Sequence, residues 1–431
     1  MLLRPSRFVR TLALLLLATA ATASGLRAAP PSDTTHYTID AHIQPATGQF
    51  DVAVDMRFVP RAPTDTLRFL LHDAMKIEEL ASPAAGAPTT RPWRIGGADT
   101  VHTKIVTVPL TRTASPSHPV SLSWTYAGHL PNDQLKIGGP VVSPHWIELP
   151  VEAMWVPIHT SFQARFTFDA VLDLPDGFEV VSTGRVRDTA SGWRIESTVP
   201  GPDVPVIASD RLRAVTPETG TGAVTVYHAG APDSVTGFVA EHASQVVDRY
   251  ADRFQTGREA DRLRITIPPV PRAKPSSYAR TGLIALSHGI DPDTSLVGLI
   301  AHEAAHLWWT DAKNPMSRHN FLNESFAEYV SWLALREAYG EAVLQARIAS
   351  ARTKAKKAPS FDDWTPRLDG VLSYEKGPVL LHQLHTRVGD ATFRAFLQRL
   401  QRNEVGTLDG MVATLKQVSG PETAQWFEAK L

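Results

Sequence analysis

Cysteine is absent from all 431 residues, and this absence excludes several kinds of chemistry. The chain can have no disulfide bridge, no thiolate zinc site, no thiol nucleophile and no lipidated cysteine anchor. An excess of charge is also lacking, since the formal net charge is −1, and we find no basic run and no glycine-rich phosphate loop. The sequence therefore predicts neither a nucleic-acid partner nor binding to a charged membrane surface.

Long apolar runs are almost as scarce, and the one that stands out lies at the N-terminus. Three arginines among the first ten residues precede an apolar stretch from Leu12 to Ala21, and residues 21–23 offer an Ala-Thr-Ala cleavage site. This arrangement is typical of a signal peptide, whereas a membrane span needs roughly 20 apolar residues. We expect residues 1–29 to be a signal peptide and the mature chain, without a membrane span, to be exported to the periplasm or secreted. An uncleaved anchor is the alternative.

The most informative motif that is present is His302-Glu303-Ala304-Ala305-His306. Residues four apart on a helix lie about 40° apart around its axis and about 6 Å apart along it, so both imidazoles can reach one metal ion. The preceding residues 295–301 are apolar, and Asp293 or Thr294 can cap the helix start. A His-Glu-His set in such a buried helix needs partners. The pattern indicates a zinc hydrolase; polar helix residues with ordinary hydrogen bonds are the alternative.

Catalytic zinc keeps three protein ligands and one position for water, so a third ligand is required. The class H-E-x-x-H-x-x-G-x-x-H is excluded, because Trp309 and Ala312 stand at its last two fixed positions. A second helix is predicted to begin near Phe321, and Glu324 is our candidate for the third ligand. The alternative for Glu324 is an acid favoured by the helix dipole. Glu328 is a competing ligand, which we assign instead to orienting a ligand histidine.

These motifs resemble those of the zinc aminopeptidases related to aminopeptidase N and leukotriene hydrolase, a branch of the gluzincins. In that family N-E-G-F-A follows H-E-x-x-H at a similar distance, and here the block reads Asn323-Glu324-Ser325-Phe326-Ala327. The family's Y-E-K-G-like block is matched by Tyr374-Glu375-Lys376-Gly377. The resemblance implies one zinc per chain, with Glu303 taking a proton from the zinc-bound water and passing it to the leaving amine. It also implies that Tyr374 donates its hydroxyl to the oxyanion.

The family's G-x-M-E-N strand, whose Glu holds the free amino group of the substrate, diverges here. Tyr278 begins the corresponding block, in which Ala279 stands at the Glu position and Arg280 at the Asn position. The resemblance implies that these three residues contact substrate, and an edge strand could pair with an extended substrate backbone. Arg280 could bind a substrate carboxylate, with a local salt bridge as the alternative. Glu148 and Glu152 are candidates for a replacement acid, although we expect both to be solvated surface residues.

The resemblance thus implies a zinc-dependent metallopeptidase that hydrolyses peptide bonds in an aminopeptidase-like manner, with a peptide as its substrate. An endopeptidase or oligopeptidase with an open cleft is the alternative, because Ala279 weakens amine recognition and the family's large C-terminal helical domain has no counterpart here. A silent peptide-binding homologue is a further alternative, against which the retention of every catalytic group argues.

The hydrophobic pattern predicts an N-terminal antiparallel β-sandwich. The resemblance implies that a thermolysin-like catalytic domain follows it, so we expect an α+β fold. We expect the sandwich to cover residues 34–209 and the peptidase domain to cover residues 210–431. Short alternating runs separated by polar turns carry the first prediction, namely 36–43, 50–58, 66–71, 104–110, 120–126, 166–174 and 204–208.

The second half is predicted to begin with a helix over residues 234–254. Its apolar face would carry Phe238, His242, Val246, Tyr250 and Phe254. Six other histidines are expected to be packing or structural residues rather than a second metal site: His382, His385, His145, His159, His288 and His319.

Overall fold

The computed structural model describes residues 34–92, 102–130, 141–162, 164–218, 223–255, 263–269, 277–287, 291–309 and 316–431. The predicted signal peptide and His288 lie outside the described residues, and export stays a prediction. Within these ranges, no helix combines the length and the apolar character that crossing a membrane requires.

The N-terminal half is built from short strands whose side chains alternate between the core and solvent. The strands are β1 Thr35–Gln44, β2 Gln49–Phe58, β3 Thr64–His72, β4 Lys76–Ala81, β5 Thr89–Pro92, β6 Thr103–Ala114, β7 Val120–His129, β8 Val141–Ser143, β9 Trp146–Leu149, β10 Ile158–His159, β11 Phe166–Asp173, β12 Glu179–Val181, β13 Arg185–Thr189, β14 Gly192–Gly201 and β15 Val206–Ser209. Strand β1 illustrates the period of two, because Tyr37, Ile39, Ala41 and Ile43 are buried while the residues between them face outward.

These strands form three sheets in the described part of the chain, ordered β13-β14-β11-β1-β2-β7-β4, β10-β3-β6-β5 and β12-β15-β9-β8. Neighbouring strands run antiparallel except for β1 and β11, which pair in parallel. The predicted multi-stranded β domain is therefore confirmed, with one parallel pair that hydrophobic alternation alone could not reveal.

The C-terminal half combines a mixed sheet with helices, as the sequence predicts. Its strands are β16 Arg213–Val215, β17 Val224–His228, β18 Leu263–Ile267, β19 Tyr278–Arg280 and β20 Leu283–Ala285. The sheet order is β16-β17-β18-β20-β19, which puts β19 at an edge. The α-helices are α1 Asp233–Phe254, α2 Thr294–Ala305, α3 Glu324–Tyr339, α4 Glu341–Ala355, α5 Asp369–Val371, α6 Gly377–Arg402, α7 Leu408–Ser419 and α8 Pro421–Glu428.

Short helical turns complete this half and shape the site. The 3-10 turns of the whole described chain are Val151–Ala153, Arg318–Leu322 and Phe361–Asp363, and a π-helical turn covers Leu372–Lys376.

Two large apolar clusters form the interior. One lies among the strands from Tyr37 to Ala208. The other joins the mixed sheet of the C-terminal half to the helices, from Val224 to Phe427. A small third cluster connects them, because Trp146 and Ile207 pack with Leu283 of β20. The boundary between the two predicted domains, at residues 209 and 210, stays a prediction.

Two details differ from the sequence-based picture. The buried face of α1 runs through Val239, Ala243 and Val246, while Phe238 and His242 stack on each other at its border, with centroids 3.9 Å apart. A spacing of strictly four residues drifts around a helix with 3.6 residues per turn, so these two side chains leave the core face. Glu148, expected in a solvated loop, is instead only 1% exposed, because it lies in the central part of a sheet, on β9.

Candidate metal centre and active site

Helix α2 presents the first two side chains of the site. Asp293 begins it with a capping carboxylate, whose Oδ1 accepts hydrogen bonds from the N–H groups of Ser295 and Leu296 at 2.8 and 3.1 Å. His302 and Glu303 lie in its last turns, and His306 follows its final residue. The predicted cap at Asp293 is present, and the helix is buried along most of its length.

The structure brings His302, His306 and Glu324 together. One ligand atom from each residue lies within 4.8 Å of the others. Glu324 Oε2 is 3.3 Å from His302 Nε2 and 3.5 Å from His306 Nε2. Glu324 is the first residue of α3, so the two-helix arrangement inferred from the spacing is present. Among the described residues, these three form the one group of histidine and carboxylate side chains that could hold a metal ion. We call it the metal-type group.

The outer nitrogen of each imidazole is hydrogen-bonded away from this group. His306 Nδ1 donates to the backbone carbonyl of Trp309 at 3.0 Å, and His302 Nδ1 donates to Glu328 Oε2 at 2.9 Å. A carbonyl and a carboxylate can only accept, so each Nδ1 carries a proton and each Nε2 faces Glu324. Both rings are therefore oriented so that Nε2 is the nitrogen left to bind a metal ion.

The electrostatics of the group also fit a cation. Glu324 Oε2 is buried and has no hydrogen-bond partner within the described part of the chain. Burial opposes ionisation of Glu324, yet the nearby histidines hold its pKa well below the usual range. Burial likewise opposes a charge on His302, but Glu324 and Glu328 raise its pKa to about 10. The pocket thus favours positive charge, and two imidazoles with one carboxylate are a donor set that zinc takes.

Glu303 and Tyr374 flank this group. Burial raises the pKa of Glu303, and the neighbouring histidines oppose that shift. The ring of Tyr374 stacks on His302, with centroids 5.6 Å apart and planes 17° apart, and it stays 37% exposed. Desolvation and the nearby Glu324 raise the pKa of Tyr374, so its hydroxyl keeps its proton and can act as a donor.

The segment around Tyr374 is tied down on both sides. Glu375 pairs with Lys354 at 2.8 Å, and Lys376 donates to the carbonyl of Pro359 at 2.7 Å. Asp369 accepts hydrogen bonds on both carboxylate oxygens, and the donors are Asn320, Trp364 and Ser373. Sequence reasoning missed Asp369 because one partner, Asn320, lies 49 residues earlier, and no motif marks the two nearby partners.

Strand β19 carries the three residues that the resemblance assigned to substrate contact. Tyr278, Ala279 and Arg280 are all partly exposed at the sheet edge, antiparallel to β20. Arg280 Nε lies 2.8 and 3.0 Å from the two carboxylate oxygens of Asp203, and Arg280 Nη2 lies 2.9 Å from Oδ2. Its guanidinium also covers the Tyr278 ring at 5.1 Å. The local salt bridge that was our alternative is thus present.

The other predicted candidates are dispersed. Glu148 is buried on β9 and accepts from Trp146 Nε1 at 3.4 Å, whereas Glu152 is exposed in the 3-10 turn and close enough to Arg280 to raise its pKa. His382 and His385 both reach the hydroxyl of Tyr329, at 3.3 and 2.8 Å.

None of the other histidines that the structure describes joins a metal-type group. His145 contacts Asp210, His159 contacts Ser161, and His319 accepts from the N–H of Leu408.

Comparison with known proteins identifies the family. Residues 284–420 match the Peptidase family M1 domain, a range that includes every metal-type ligand and Tyr374. The chain carries a peptidase family M1 domain. It is therefore a zinc metallopeptidase, and hence a hydrolase, and His302, His306 and Glu324 form a group that could hold the zinc ion. Strand β19 lies just outside the matched range, which agrees with its divergence.

Solved structures share the whole fold. An M1 zinc metallopeptidase from Deinococcus radiodurans, a mutant bound to a Tyr-Ser-Ala substrate, has a TM-score of 0.70 at 19% identity. The same enzyme without that substrate has a TM-score of 0.68, also at 19% identity. Both similarities cover 92% of this chain and 93% of the other. A two-domain M1 zinc metallopeptidase mutant bound to L-tryptophan has a TM-score of 0.66 at 18% identity over the same shares. The α+β architecture of the M1 peptidases is thus confirmed.

Proposed function

We propose that this M1 metallopeptidase is an aminopeptidase-type enzyme that hydrolyses peptides lying in extended form along β19. The observation that carries the proposal is the convergence of Glu303 and Tyr374 on the His302, His306 and Glu324 group. Zinc, when bound there, supplies a Lewis acid that polarises a carbonyl and lowers the pKa of a water.

The chain's own residues supply the proton transfers. Glu303 is buried and its pKa is raised, so it can take a proton from water and return it to the leaving amine. Tyr374 keeps its phenolic proton and can donate a hydrogen bond to the carbonyl oxygen as that atom gains negative charge. Glu328 holds His302 in place through Nδ1.

Amine recognition needs a carboxylate that Ala279 does not provide. Two acids interact with Arg280. Asp203 forms an ion pair with it, and the charge of Glu152, in the 3-10 turn, also raises its pKa. The charge of Glu152 can attract a substrate ammonium group near β19. We assign this role to Glu152, since Asp203 is 4% exposed and its carboxylate is used by Arg280.

A relative supports the same substrate class. A mutant of the Deinococcus radiodurans enzyme was solved with a Tyr-Ser-Ala substrate, and related structures hold L-tryptophan or L-arginine. Short peptides with a free N-terminus are therefore our proposed substrates. Endopeptidase or oligopeptidase action is the second candidate, and the observation that favours it is Ala279 at the position of the family's amine-binding Glu.

Matched peptides distinguish the two candidates. We would compare turnover of one fluorogenic peptide with a free N-terminus and the same peptide N-acetylated. We expect a clear preference for the free amine, which Glu152→Gln should reduce by raising KM for that peptide alone. Glu179→Gln, which alters an exposed acid of β12, is the matched control and should change neither KM. Equal cleavage of both peptides would favour the endopeptidase candidate.

A further inference from the structure

Ser325 stands where the resembling family has glycine, directly after the metal-type ligand Glu324. Its side chain is fully buried, with an exposure of 0%. Its hydroxyl donates to the backbone carbonyl of Ser373 at 2.8 Å. That carbonyl precedes Tyr374 in the chain, so one hydrogen bond connects helix α3 to the turn that carries the tyrosine.

The Ser373 carbonyl needs this donor because of the local backbone. In the π-helical turn the N–H of Gly377 goes to Leu372, five residues back. The same pattern would pair the Ser373 carbonyl with the N–H of residue 378, but residue 378 is proline and has none. Ser373 is 1% exposed, and a buried carbonyl without a donor is costly. The Ser325 hydroxyl therefore donates to the Ser373 carbonyl in place of the backbone N–H that Pro378 lacks.

The turn packs closely against Ser325 at Gly377. A Cβ at position 377 would overlap the Ser325 hydroxyl and lie 2.6 Å from the Ser325 Cβ. Glycine at 377 is therefore what lets the turn approach α3 closely enough for the hydrogen bond. Ser373 is held from its other side, since its own hydroxyl donates to Asp369 at 2.7 Å.

We propose that Ser325 is a positioning residue for Tyr374, acting through the Ser373 carbonyl to fix the π-helical turn. This proposal rests on the proposed role of Tyr374 as a donor to the carbonyl oxygen. Glu324 and Ser325 are adjacent at the start of α3. The first is a candidate metal ligand, and the second positions the Tyr374 hydroxyl through its hydrogen bond to the Ser373 carbonyl. A displacement of about 1 Å at a catalytic group can cost roughly 10²-fold in rate, so a rigid link here has catalytic value.

The central test removes the Ser325 hydroxyl and then gives the Ser373 carbonyl a different donor, the backbone N–H of residue 378. Ser325→Ala keeps the Cβ and should lower kcat by about 10-fold, with KM and zinc content unchanged. Adding Pro378→Ala returns an N–H to the Ser373 carbonyl and should recover most of the lost kcat. Ser331→Ala, which removes another buried hydroxyl of α3, is the matched control and should leave kcat unchanged. If the alanine variant does not fold, Ser325→Cys can replace it, because the thiol is a weak donor of similar size. Its kcat should fall by less than the loss of about 10-fold expected for alanine.

Two further measurements separate this proposal from the role of Tyr374. Amide hydrogen exchange across residues 372–376 of the metal-free protein should be faster in Ser325→Ala and should slow again with Pro378→Ala. In a Tyr374→Phe background, Ser325→Ala should cost nothing more. Near-normal kcat in Tyr374→Phe would overturn the proposed role of the tyrosine. A large loss in Tyr374→Phe, together with wild-type kcat and exchange in Ser325→Ala, would overturn the proposal for Ser325 alone.

Discussion

Glu328 Oε2 and His302 Nδ1 are joined by a 2.9 Å hydrogen bond that turns the other nitrogen of the ring toward Glu324. Glu328 is itself held, because its Oε1 accepts from the indole N–H of Trp332 at 2.8 Å. Burial opposes its charge, but the bond to His302 lowers the pKa of Glu328, so it stays a carboxylate. The orientation of His302, a proposed zinc ligand, thus depends on Glu328, which lies one helical turn after the proposed ligand Glu324.

From this relationship we predict that Glu328→Ala weakens zinc binding without abolishing it. Loss of such an orienting partner typically costs 10- to 100-fold in metal affinity, so we expect a change of roughly that size. Competition with a chromogenic chelator measures it. Glu341→Ala, at the exposed start of α4, is the control and should bind zinc as tightly as wild type. An unchanged affinity in Glu328→Ala would mean that Trp309 and the helix alone orient the imidazoles.

Removal of a ligand should have a larger effect. His306→Ala leaves one imidazole and one carboxylate, too few for a catalytic zinc site. Metal analysis should find about one zinc per wild-type chain and almost none in the variant, with activity lost in parallel. Full zinc retention in His306→Ala would show that the ion is held elsewhere.

Glu303→Gln should separate metal binding from turnover. The amide has nearly the same shape as the carboxylate but cannot accept the proton of the attacking water. We therefore expect normal zinc content and a loss of kcat of about 10² to 10⁴-fold, the usual contribution of a positioned acid or base. Turnover within a few-fold of wild type would remove Glu303 from the proton-transfer role.

The ligand set could be predicted from sequence because helical geometry is local. Two histidines four residues apart must share a face, and Glu324 begins the next helix, so the grouping followed from spacing. The carbonyl of Trp309 that fixes His306 could not be predicted in this way, because every residue has a backbone carbonyl and no side-chain pattern marks it. The ion-pair partner of Arg280 could not be predicted from sequence either, because Asp203 lies 77 residues earlier, in the β half.

That ion pair leads to a prediction about stability and specificity. The side chain of Arg280 is 16% exposed and that of Asp203 is 4% exposed, so Asp203→Asn leaves a largely buried cation without its counter-charge. We expect the free energy of unfolding to fall by up to about 3 kcal/mol, measured by denaturant titration. Asp362→Asn breaks an exposed pair with Arg318 and should change it by less than about 1 kcal/mol.

Substrate kinetics test whether Arg280 has a second role. Because its guanidinium is engaged by Asp203, Arg280→Ala should change KM by the same factor for a peptide with a free C-terminal carboxylate and for its amidated form. A selective rise for the free carboxylate would instead assign Arg280 to substrate binding.

The last prediction concerns acid stability and lies in the β half, away from the zinc group. Burial, and then the charge of Arg68, lower the pKa of His159 to about 4, and its ring stacks on Phe58 with centroids 5.0 Å apart. Above the unfolded pKa of about 6.5 the ring is neutral in both states and has no effect. As the pH falls from about 6.5 toward 4, the unfolded chain takes up a proton that the folded chain does not, so stability is lost.

His159→Phe keeps the aromatic packing and removes this titration. Unfolding of metal-free protein at pH 7.5 and pH 5.0 should show a smaller pH-dependent loss in the variant, by about 1 kcal/mol after allowance for partial exposure. An equal loss in wild type and His159→Phe would mean that His159 accepts its proton in the folded state at its ordinary pKa.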